Sequence, residues 1–437
     1  MNYSEWLTMK TLEYRDNVLY FAGKNTLEIS KEYGTPIYVV NENTIRERYV
    51  NLKNLLNSEY ENNRIHYAVK ANSNLSILKI LHSEGASFDC TSMGEIYTCF
   101  KADISPEKII YTGNMFTDAD FRFAVENKVL VNLDSVSQLK RLAKIHDDLG
   151  MEKSIISFRI NPEFGAGHHT HTITAGKAIK FGILEEQAIE AFSQAKDNGF
   201  KKFGIHQHIG SGVLNAQDFK KPVEKYISII KKVAKSLEIK FEFIDFGGGL
   251  GIPYRPLEEP LDFDIYKEVV IKPFKQLINS ENIGEPIFKI EPGRYLTAES
   301  SILLTQINTI KNNGYKLFAG VDAGFNTLLR PTLYNSYHHI IVCNKKGKEP
   351  TLTYDVTGPI CESGDILGKN RELNKLEEND VLAILDVGAY GFTMSSSYNS
   401  RPRSSEILIN NGNIFKIREA ESLDDLLKLQ IIPDHLK

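Results

Sequence analysis

The amino-acid sequence predicts an α/β fold, a (β/α)8 TIM-type barrel, with a C-terminal all-β domain that also takes in the N-terminal segment. Two observations carry this prediction. Between Arg64 and Glu291, eight short β-rich runs alternate with stretches of helical periodicity. After residue 300 the pattern changes to β-like runs without long helices. Because parallel strands need crossover helices and eight tilted strands close on themselves, the first pattern favours a barrel.

The eight β-rich runs of the predicted barrel are short and largely apolar. They are IHYAVK from Ile65, ASFDC from Ala86, IIYT from Ile109, VLVNLD from Val129, IISFRI from Ile155, FGIHQHI from Phe203, FEFIDF from Phe241 and IFKI from Ile287. The stretches between them indicate helices. In the first of these, Leu75, Leu78 and Leu81 recur at helical spacing, and Gly85 is placed to end the helix.

The predicted β domain has two parts. The larger part follows residue 300 and contains the runs SILLTQINTI, KLFAGVDA, HHIIVCN, TLTYDVTG, DVLAILDVG and SEILIN. The smaller part is the N-terminal TLEYRDNVLYFAG, where Asp16-Asn17 lies between two alternating runs and predicts a hairpin. We therefore expect a barrel over residues 36–300, inserted between residues 1–35 and residues 301–437 of one β domain.

Composition excludes several classes of protein. The 437 residues are 42% hydrophobic and 25% charged, which is enough to bury a large core. The net charge of −4 gives no reason to expect DNA or RNA as a partner. The four cysteines are too few and too scattered for a disulfide framework, which favours a reduced, cytoplasmic compartment. No apolar stretch approaches the ~20 residues that span a bilayer, and the N-terminus lacks the pattern of a secretory signal.

Polar and reactive residues lie within, at the end of or just after the predicted strands, toward the end where barrel enzymes place their active sites. These residues are Lys70, Asn114, Asp134, Arg159, His208, Gly247 to Gly249, and Glu291 to Arg294. Lys70 is the most informative, because desolvation and nearby cations at a barrel mouth favour the neutral amine, and such a lysine can form a Schiff base. An isolated lysine at a strand end is more often one whose ammonium simply reaches solvent.

Two glycine loops and one charged turn accompany Lys70. FGGGLG at residues 246–251 and HIGSG at residues 208–212 let backbone N–H groups approach a phosphate, although each alone is more often a tight loop. EPGR at residues 291–294 places a carboxylate and a guanidinium around a Pro-Gly turn, which alone is as often a salt-bridged surface turn. Together, these features match the aldehyde, the phosphate and the pyridine nitrogen of pyridoxal 5'-phosphate.

Six ordered motifs carry a resemblance to a known family. They are YAVKAN around Lys70, HIGSG around His208, GGGLG around Gly247, EPGRYL around Glu291, CESGD around Cys361 and GAYGF around Tyr390. From about Gly34 onward the chain resembles the alanine-racemase-like, fold-type III decarboxylases that depend on pyridoxal phosphate. The resemblance implies decarboxylation of meso-2,6-diaminopimelate to L-lysine and CO₂, the last step of lysine biosynthesis. A decarboxylase of the same fold acting on ornithine, arginine, carboxynorspermidine or another amino-acid precursor is the alternative.

The resemblance also implies which residues bind the cofactor. Lys70 would hold it as a Schiff base, His208 would stack on its pyridine ring, and Glu291 would pair with the pyridine nitrogen. A carboxylate there keeps that nitrogen protonated, so that the ring can accept the electrons left when CO₂ departs. Further cofactor contacts would come from Gly210, Ser211, Gly247, Gly248, Gly249, Gly293, Arg294 and Tyr390.

By the same resemblance, the β domain contributes substrate-binding and dimer contacts. Arg330 and Tyr334, in RPTLYNSYHH, would bind the distal carboxylate of the substrate, since a guanidinium binds two oxygens in parallel. Cys361 would donate a proton to the carbanion and Glu362 would contact the distal ammonium, both from the other subunit of a homodimer. The substrate contacts would be Arg294, Arg330, Tyr334, Glu362 and Tyr390. Without the flanking match, Cys361 reads as a small buried thiol beside a surface acid.

One segment departs from the family pattern. Residues 161–183 have the family's ending KFG but contain His168, His169 and His171, where a different loop is expected. No carboxylate or cysteine accompanies HHTH at ligand spacing, so a polar loop is the better interpretation and we expect no metal site. A metal-dependent barrel hydrolase is a distant alternative. A catalytically silent homologue that regulates a partner enzyme is another, against which Lys70 and Cys361 argue.

Overall fold

The structure is a computed structural model that describes residues 3–165, 167, 174–176, 179–345 and 352–437. It divides into two compact units. The barrel unit comprises Ile45–Pro253 and Glu259–Leu296, and the β unit comprises Met1–Thr44, Tyr254–Glu258 and Thr297–Lys437. The histidines of HHTH, which are His168, His169 and His171, lie outside the described residues. Within those ranges, no helix has both the length and the apolar character needed to cross a membrane.

The N-terminal part of the β unit contains a small antiparallel sheet. Its elements are α1 (Tyr3–Met9), β1 (Leu12–Arg15), β2 (Val18–Phe21), β3 (Lys24–Asn25), α2 (Thr26–Tyr33) and β4 (Ile37–Asn41). β1 and β2 are joined by Asp16-Asn17, whose φ angles of 47° and 69° are the left-handed values of a type I′ turn. The predicted hairpin is therefore confirmed.

Parallel strands close the barrel, and the predicted β-rich runs overlap all of them. In chain order they are β5 (Asn63–Ala68), β6 (Ser87–Cys90), β7 (Ile109–Tyr111), β8 (Leu130–Leu133), β9 (Ile155–Ile160), β10 (Lys202–Gln207), β11 (Phe241–Asp245) and β12 (Ile287–Ile290). Each strand pairs with the next, and β12 pairs with β5, which closes the cylinder. The predicted (β/α)8 barrel is confirmed.

Helices alternate with these strands, and local chemistry explains where they begin. They are α3 (Glu42–Glu59), α4 (Leu75–Ser83), α5 (Met93–Lys101), α6 (Asp118–Glu126), α7 (Val136–Asp148), α8 (Glu185–Asp197), α9 (Lys220–Leu237), α10 (Phe263–Tyr266), α11 (Lys272–Ser280) and α12 (Arg294–Thr297). Asn74, Ser92 and Thr117 each precede a helix and accept a hydrogen bond from a first-turn N–H. Gly85, with φ of 99°, follows α4 as predicted.

The C-terminal part of the β unit adds strands to a sheet that also contains β4. Its elements are β13 (Ser301–Asn312), β14 (Leu317–Val321), α13 (Arg330–Tyr334), β15 (Ile340–Val342), β16 (Leu352–Thr357), β17 (Ile366–Leu373), β18 (Val381–Ile384), β19 (Ser405–Asn410), β20 (Asn413–Arg418) and α14 (Leu423–Leu427). The sheet order is β17-β16-β14-β13-β4-β19-β20, and β18 pairs with β13 and β15. The predicted β domain that takes in the N-terminal segment is confirmed, as a mostly-β unit with a few short helices.

Both faces of this sheet are buried at β4 and in the first half of β13. On β4, Ile37 and Val39 pack into one apolar cluster and Tyr38 into another. β13 repeats the alternation, with Ile302 and Leu303 in opposite clusters. A continuous apolar run such as SILLTQI is therefore a strand covered on both sides.

The structure departs from the sequence prediction at β4 and at the sheet edges. The predicted boundary at residue 36 precedes β4, whereas β4 hydrogen-bonds to β13 and β19 and so lies in the β unit. The sequence does not predict β17 or β20, because ILGKNREL and NIFKIR interrupt their apolar residues with charged ones. Both strands end the sheet order, where charged side chains are common.

Gly204 on β10 provides a test of packing in the barrel unit. A methyl group at this position would lie 2.1 Å from Cζ of Phe243. We expect Gly204→Ala to lower the free energy of unfolding by about 1–3 kcal/mol, the usual cost of overpacking, as measured by urea unfolding. Gly94→Ala on α5 is the control, because its methyl would lie 3.6 Å from Oγ of Ser92. Its stability should stay unchanged or rise by up to ~1 kcal/mol. Equal losses in both variants would contradict the packing argument.

Candidate active site

Lys70 lies directly after β5, in a short turn over Val69–Ala71. Its Nζ donates a hydrogen bond to Oδ2 of Asp89 at 2.6 Å, and Asp89 lies near the carboxyl end of the neighbouring strand β6. The side chain of Asp89 is 1% exposed, whereas that of Lys70 is 37% exposed. A buried carboxylate therefore positions an amine that stays accessible to a reactant.

A buried cluster of His206, Asp245 and Glu291 lies at the same ends of the strands. Nε2 of His206 and Oε2 of Glu291 are 3.0 Å apart, and one donor atom from each of the three residues lies within 4.8 Å of the others. Burial and the charge of Asp89 raise the pKa of Glu291, and burial lowers the pKa of His206 to about 4.

Asp245 is affected by the same surroundings as Glu291. Burial and the charge of Glu291 raise the pKa of Asp245, since two carboxylates in one buried site repel each other. An ionised Glu291 is thus costly unless a cationic group meets it. A protonated ring nitrogen would do so, and the three donor atoms are also close enough to bind a metal ion.

The two predicted glycine loops meet in the structure. The N–H of Val213 donates to the carbonyl of Gly249, and the N–H of Gly251 donates to the carbonyl of Val213, both at 2.9 Å. Gly247 has φ of 69°, and a methyl there would lie 2.3 Å from the carbonyl oxygen of Gln207. Only glycine fits such a place, and the lack of a side chain lets the two loops approach closely.

His208 is held in place by the glycine loop. The N–H of Gly248 donates to Nδ1 of His208 at 2.9 Å, which leaves Nε2 as the protonated nitrogen of a neutral imidazole. Burial and the nearby charge of Arg159 keep the pKa of His208 well below its usual value. Because this N–H of Gly248 is already bonded, the phosphate contact expected of Gly248 stays a prediction.

The EPGR turn is connected to the HIGSG loop. Nη2 of Arg294 donates to Oγ of Ser211 at 3.0 Å, and Arg294 is buried.

Other residues at the strand ends serve local structure. Asp134 accepts a hydrogen bond from Nε2 of Gln138 at 2.7 Å, at the beginning of α7, and Asn114 is partly buried after β7. We assign neither of these two residues a role.

Arg330 and Tyr334 lie on α13 of the β unit. Arg330 is 1% exposed, and its Nη1 lies 2.8 Å from Nε2 of His338. Its guanidinium carbon lies 4.8 Å from the ring centroid of Tyr254. Tyr334 is partly buried at the end of the helix. An arginine held by a histidine and an aromatic ring is fixed in direction, as a specific carboxylate contact requires.

Cys361 and Glu362 are exposed side chains of the β unit. The N–H of Cys361 donates to Oδ1 of Asn399 at 2.8 Å, and the hydroxyl of Tyr398 donates to Oε1 of Glu362 at 2.8 Å. Tyr390 has φ of 58°, a strained left-handed conformation for a bulky residue. Such strain is often retained at functional positions.

Sequence reasoning misses Asp89, His206 and Asp245. A signal for two of them exists, because His206 lies two residues before His208 and Asp245 two residues before Gly247. Side chains two residues apart in a strand point to the same side, so His206 and Asp245 are expected to point to the same side as the predicted site residues that follow them. Asp89 is the one charged residue in the run ASFDC.

These residues fit pyridoxal phosphate. Lys70 offers an amine to the aldehyde, and a methyl at Gly247 or Gly248 would collide with backbone, so these glycines keep a close approach to the loop open. Glu291 offers a carboxylate that a pyridinium would stabilise. Among the described side chains, Oδ1 of Asp89 and Oδ2 of Asp245 are buried polar atoms without a hydrogen-bond partner, which is expected of a site that is completed by a polar group.

Comparison with known proteins identifies the family. Residues 42–298 match the family model described as "Pyridoxal-dependent decarboxylase, pyridoxal binding domain". The diaminopimelate decarboxylase of Methanothermobacter thermautotrophicus is 48% identical over 418 residues, covering 96% of each chain. That of Archaeoglobus fulgidus is 37% identical over 422 residues, covering 96% of this chain and 99% of the relative. The crystal structure of diaminopimelate decarboxylase from M. jannaschii in co-complex with L-lysine has a TM-score of 0.91 at 32% identity, with each chain covered completely. The chain therefore belongs to the family of pyridoxal-dependent decarboxylases.

Proposed function

We propose that this protein is a diaminopimelate decarboxylase, which converts meso-2,6-diaminopimelate to L-lysine and CO₂, the last step of lysine biosynthesis. The observation that carries the proposal is the combination, in one barrel, of the Lys70–Asp89 pair, the glycine loop of residues 246–251 and the buried Glu291. The relatives that bear this activity in their names match it over nearly their whole length.

The barrel unit would hold the cofactor. When bound, pyridoxal phosphate supplies an aldehyde that reacts with amines and a protonated ring that accepts the electron pair released with CO₂. In our proposal Lys70 binds at the aldehyde carbon and Glu291 holds the proton of the ring nitrogen, while His208 packs against the ring. Backbone and side-chain donors would bind the phosphate; we assign this role to Gly210, Ser211, Gly247, Gly248, Gly249 and Tyr390, with Gly293 and Arg294 as further cofactor contacts.

Residues of the β unit would select the substrate. Arg330 and Tyr334 would bind the distal carboxylate, with Arg294 and Tyr390 as further contacts. The side chain of Arg330 is already buried and directed by His338, so little conformational entropy is lost when it binds a carboxylate. Ornithine and arginine lack a distal carboxylate, which is why we expect them to be poor substrates.

We propose further that two chains form a homodimer with shared active sites. Cys361 would donate the proton that replaces CO₂, and Glu362 would bind the distal ammonium, both at the site of the partner chain. Both side chains are exposed in the single chain, as such a role requires. The hydrogen bond from Tyr398 gives the Glu362 carboxylate a fixed direction.

Product analysis tests this function. Purified protein with pyridoxal phosphate should release CO₂ and an amine from meso-diaminopimelate, with L-lysine as the only amine product. Ornithine, arginine and lysine serve as parallel substrates under the same conditions. Faster release of CO₂ from ornithine or arginine would replace the proposed substrate. Turnover that disappears with a chelator and does not need pyridoxal phosphate would instead favour metal chemistry at His206, Asp245 and Glu291.

Arg330→Lys tests the distal carboxylate contact. Lysine keeps the charge but cannot bind two oxygens in parallel, so kcat/KM for diaminopimelate should fall by at least about tenfold, or ~1.4 kcal/mol. Arg418→Lys is the matched control, because Arg418 also stacks on a ring of the β unit, 4.1 Å from the centroid of Phe392. It should keep its kcat/KM. An unchanged value for Arg330→Lys would mean that the distal carboxylate binds elsewhere.

Mixing two inactive variants tests the shared site. A Lys70→Ala chain paired with a Cys361→Ala chain would have one site with both lesions and one site with none. Since roughly half of the dimers would be mixed, activity should return to up to about a quarter of wild type after subunit exchange. Differently tagged chains that copurify without regaining activity would show that Cys361 serves its own chain or takes no part in catalysis.

A further inference from the structure

The β unit contains a groove whose arginines have no role in the proposed reaction. The groove has a volume of about 480 Å³, and Arg330 does not line it. Its charged lining residues are Arg255, Lys369, Arg371 and Glu372, and we call it the arginine groove. Cations therefore outnumber carboxylates in its lining.

Two of these cations share one aromatic ring. The guanidinium carbons of Arg255 and Arg371 lie 4.3 Å and 3.9 Å from the ring centroid of Tyr337. Because both distances are measured from the same centroid, the two guanidinium carbons are separated by no more than the sum of the two distances. Cation–π contact with the ring stabilises each of them, but it does not remove their mutual repulsion.

Arg371 is held in place by the fold. A methyl group at Gly368 would lie 2.6 Å from Nε of Arg371, so the side chain packs where a larger residue would exclude it. Burial and the charge of Arg255 lower the pKa of Arg371. The side chain of Tyr337 opposes this shift through a hydrogen bond, and a group of full negative charge would stabilise the guanidinium further.

Two polar side-chain atoms of the groove lack a hydrogen-bond partner. Nε of Arg371 and Oγ of Ser336 are buried atoms that have no hydrogen-bond partner among the described residues. Within those same ranges, no carboxylate oxygen lies within 4.0 Å of a nitrogen of Arg255 or Arg371. Glu258 accepts hydrogen bonds from the backbone N–H groups of Tyr254 and Arg255, and Glu372 is exposed.

We propose that the arginine groove binds a small oxyanion, a carboxylate or a phosphate, between the guanidinium groups of Arg255 and Arg371. Planar guanidinium groups match both kinds of anion, and bidentate hydrogen bonds to them are among the strongest in proteins. The hydroxyl of Ser336 would add a donor, and Lys369 a further positive charge. This anion would bind in addition to the substrate and cofactor of the proposed reaction.

Anion binding to the holoenzyme tests the proposal. Protein saturated with pyridoxal phosphate, so that its phosphate cradle is filled, is titrated with inorganic phosphate or with malonate at constant ionic strength, with chloride as the reference. Isothermal calorimetry gives the Kd, and the rise in Tm with anion concentration gives an independent measure. We expect at least one of the two anions to bind. The anion with the lower Kd shows whether the groove prefers a phosphate or a carboxylate.

Three variants localise the binding. Arg255→Gln and Arg371→Gln should each weaken anion binding at least about tenfold, because each removes one arm of the site. Arg15→Gln is the matched control: it removes the same charge from an arginine that also stacks on a tyrosine, 4.5 Å from the ring centroid of Tyr20. It should bind the anion as wild type does.

Two results would overturn the proposal. One is the absence of any stabilisation or heat by phosphate and malonate beyond that by chloride. The other is unchanged anion affinity in Arg255→Gln; because Arg255 is exposed, we expect this variant to fold even if Arg371→Gln does not. Decarboxylase activity plays no part in either readout, so the groove is tested separately from the proposed function.

Discussion

Replacing Lys70 with alanine should reduce decarboxylation to below about a thousandth of wild type. The described barrel places its amine 2.6 Å from a buried carboxylate at the strand ends, and methyl cannot form or release an imine. The cofactor should also lose its covalent attachment. Borohydride reduction of the wild-type protein, followed by peptide mapping, should place the label on Lys70, and CO₂ release measures the loss of activity.

Lys202→Ala is the matched control for this experiment. Lys202 is also a lysine of a barrel strand, but it begins β10 and its Nζ lies 3.6 Å from an oxygen of Glu242. This variant should keep both its label and its turnover. Label on a lysine other than Lys70, or substantial activity in Lys70→Ala, would refute the assignment of the cofactor lysine.

Replacing Glu291 with glutamine should lower kcat by about 10²-fold or more. An amide has the shape of the carboxylate but carries no charge, so it cannot hold a proton on the ring nitrogen as the electron pair develops. Because burial raises the pKa of Glu291, the charge becomes favourable only when a cation meets it, and glutamine removes that pairing. Steady-state kinetics measures kcat, and absorbance of the bound cofactor shows whether binding persists.

Two further variants separate charge from shape at Glu291. Glu291→Asp keeps the charge at a different distance and should retain more activity than Glu291→Gln. Glu285→Gln removes a carboxylate from an exposed residue shortly before β12 and should leave kcat unchanged. If Glu291→Gln turned over as fast as wild type, the ring nitrogen would need no carboxylate, and Glu291 would be a structural residue that holds His206.

The barrel itself was predictable because its signals are local. Each β-rich run and each helix between them is recognised within a dozen residues, and capping residues such as Asn74 and Ser92 mark where helices begin. Counting eight such units is enough to infer a closed cylinder. The edge strands of the β sheet were harder to predict, because β17 and β20 mix charged with apolar residues.

The site was predictable in part for the same reason. Lys70, the glycine loops and Glu291 stand in short ordered motifs, and position along a barrel strand places them at one end. The hydrogen-bond partners of Lys70 and Glu291 were not predicted. Asp89 meets Lys70 across neighbouring strands, and His206 meets Glu291 although 85 positions separate them along the chain.

The sequence by itself determined the fold class, the order of the strands in the barrel and the residues that stand at its mouth. Only the tertiary structure decided that β4 lies between β13 and β19, that Asp245 joins His206 and Glu291, and that Arg255 and Arg371 share the ring of Tyr337. The physical reason is the separation along the chain of the residues that interact. Hydrophobic periodicity is written within an element, whereas strand pairing, burial and the electrostatic environment of a side chain depend on residues that the chain brings together from far apart.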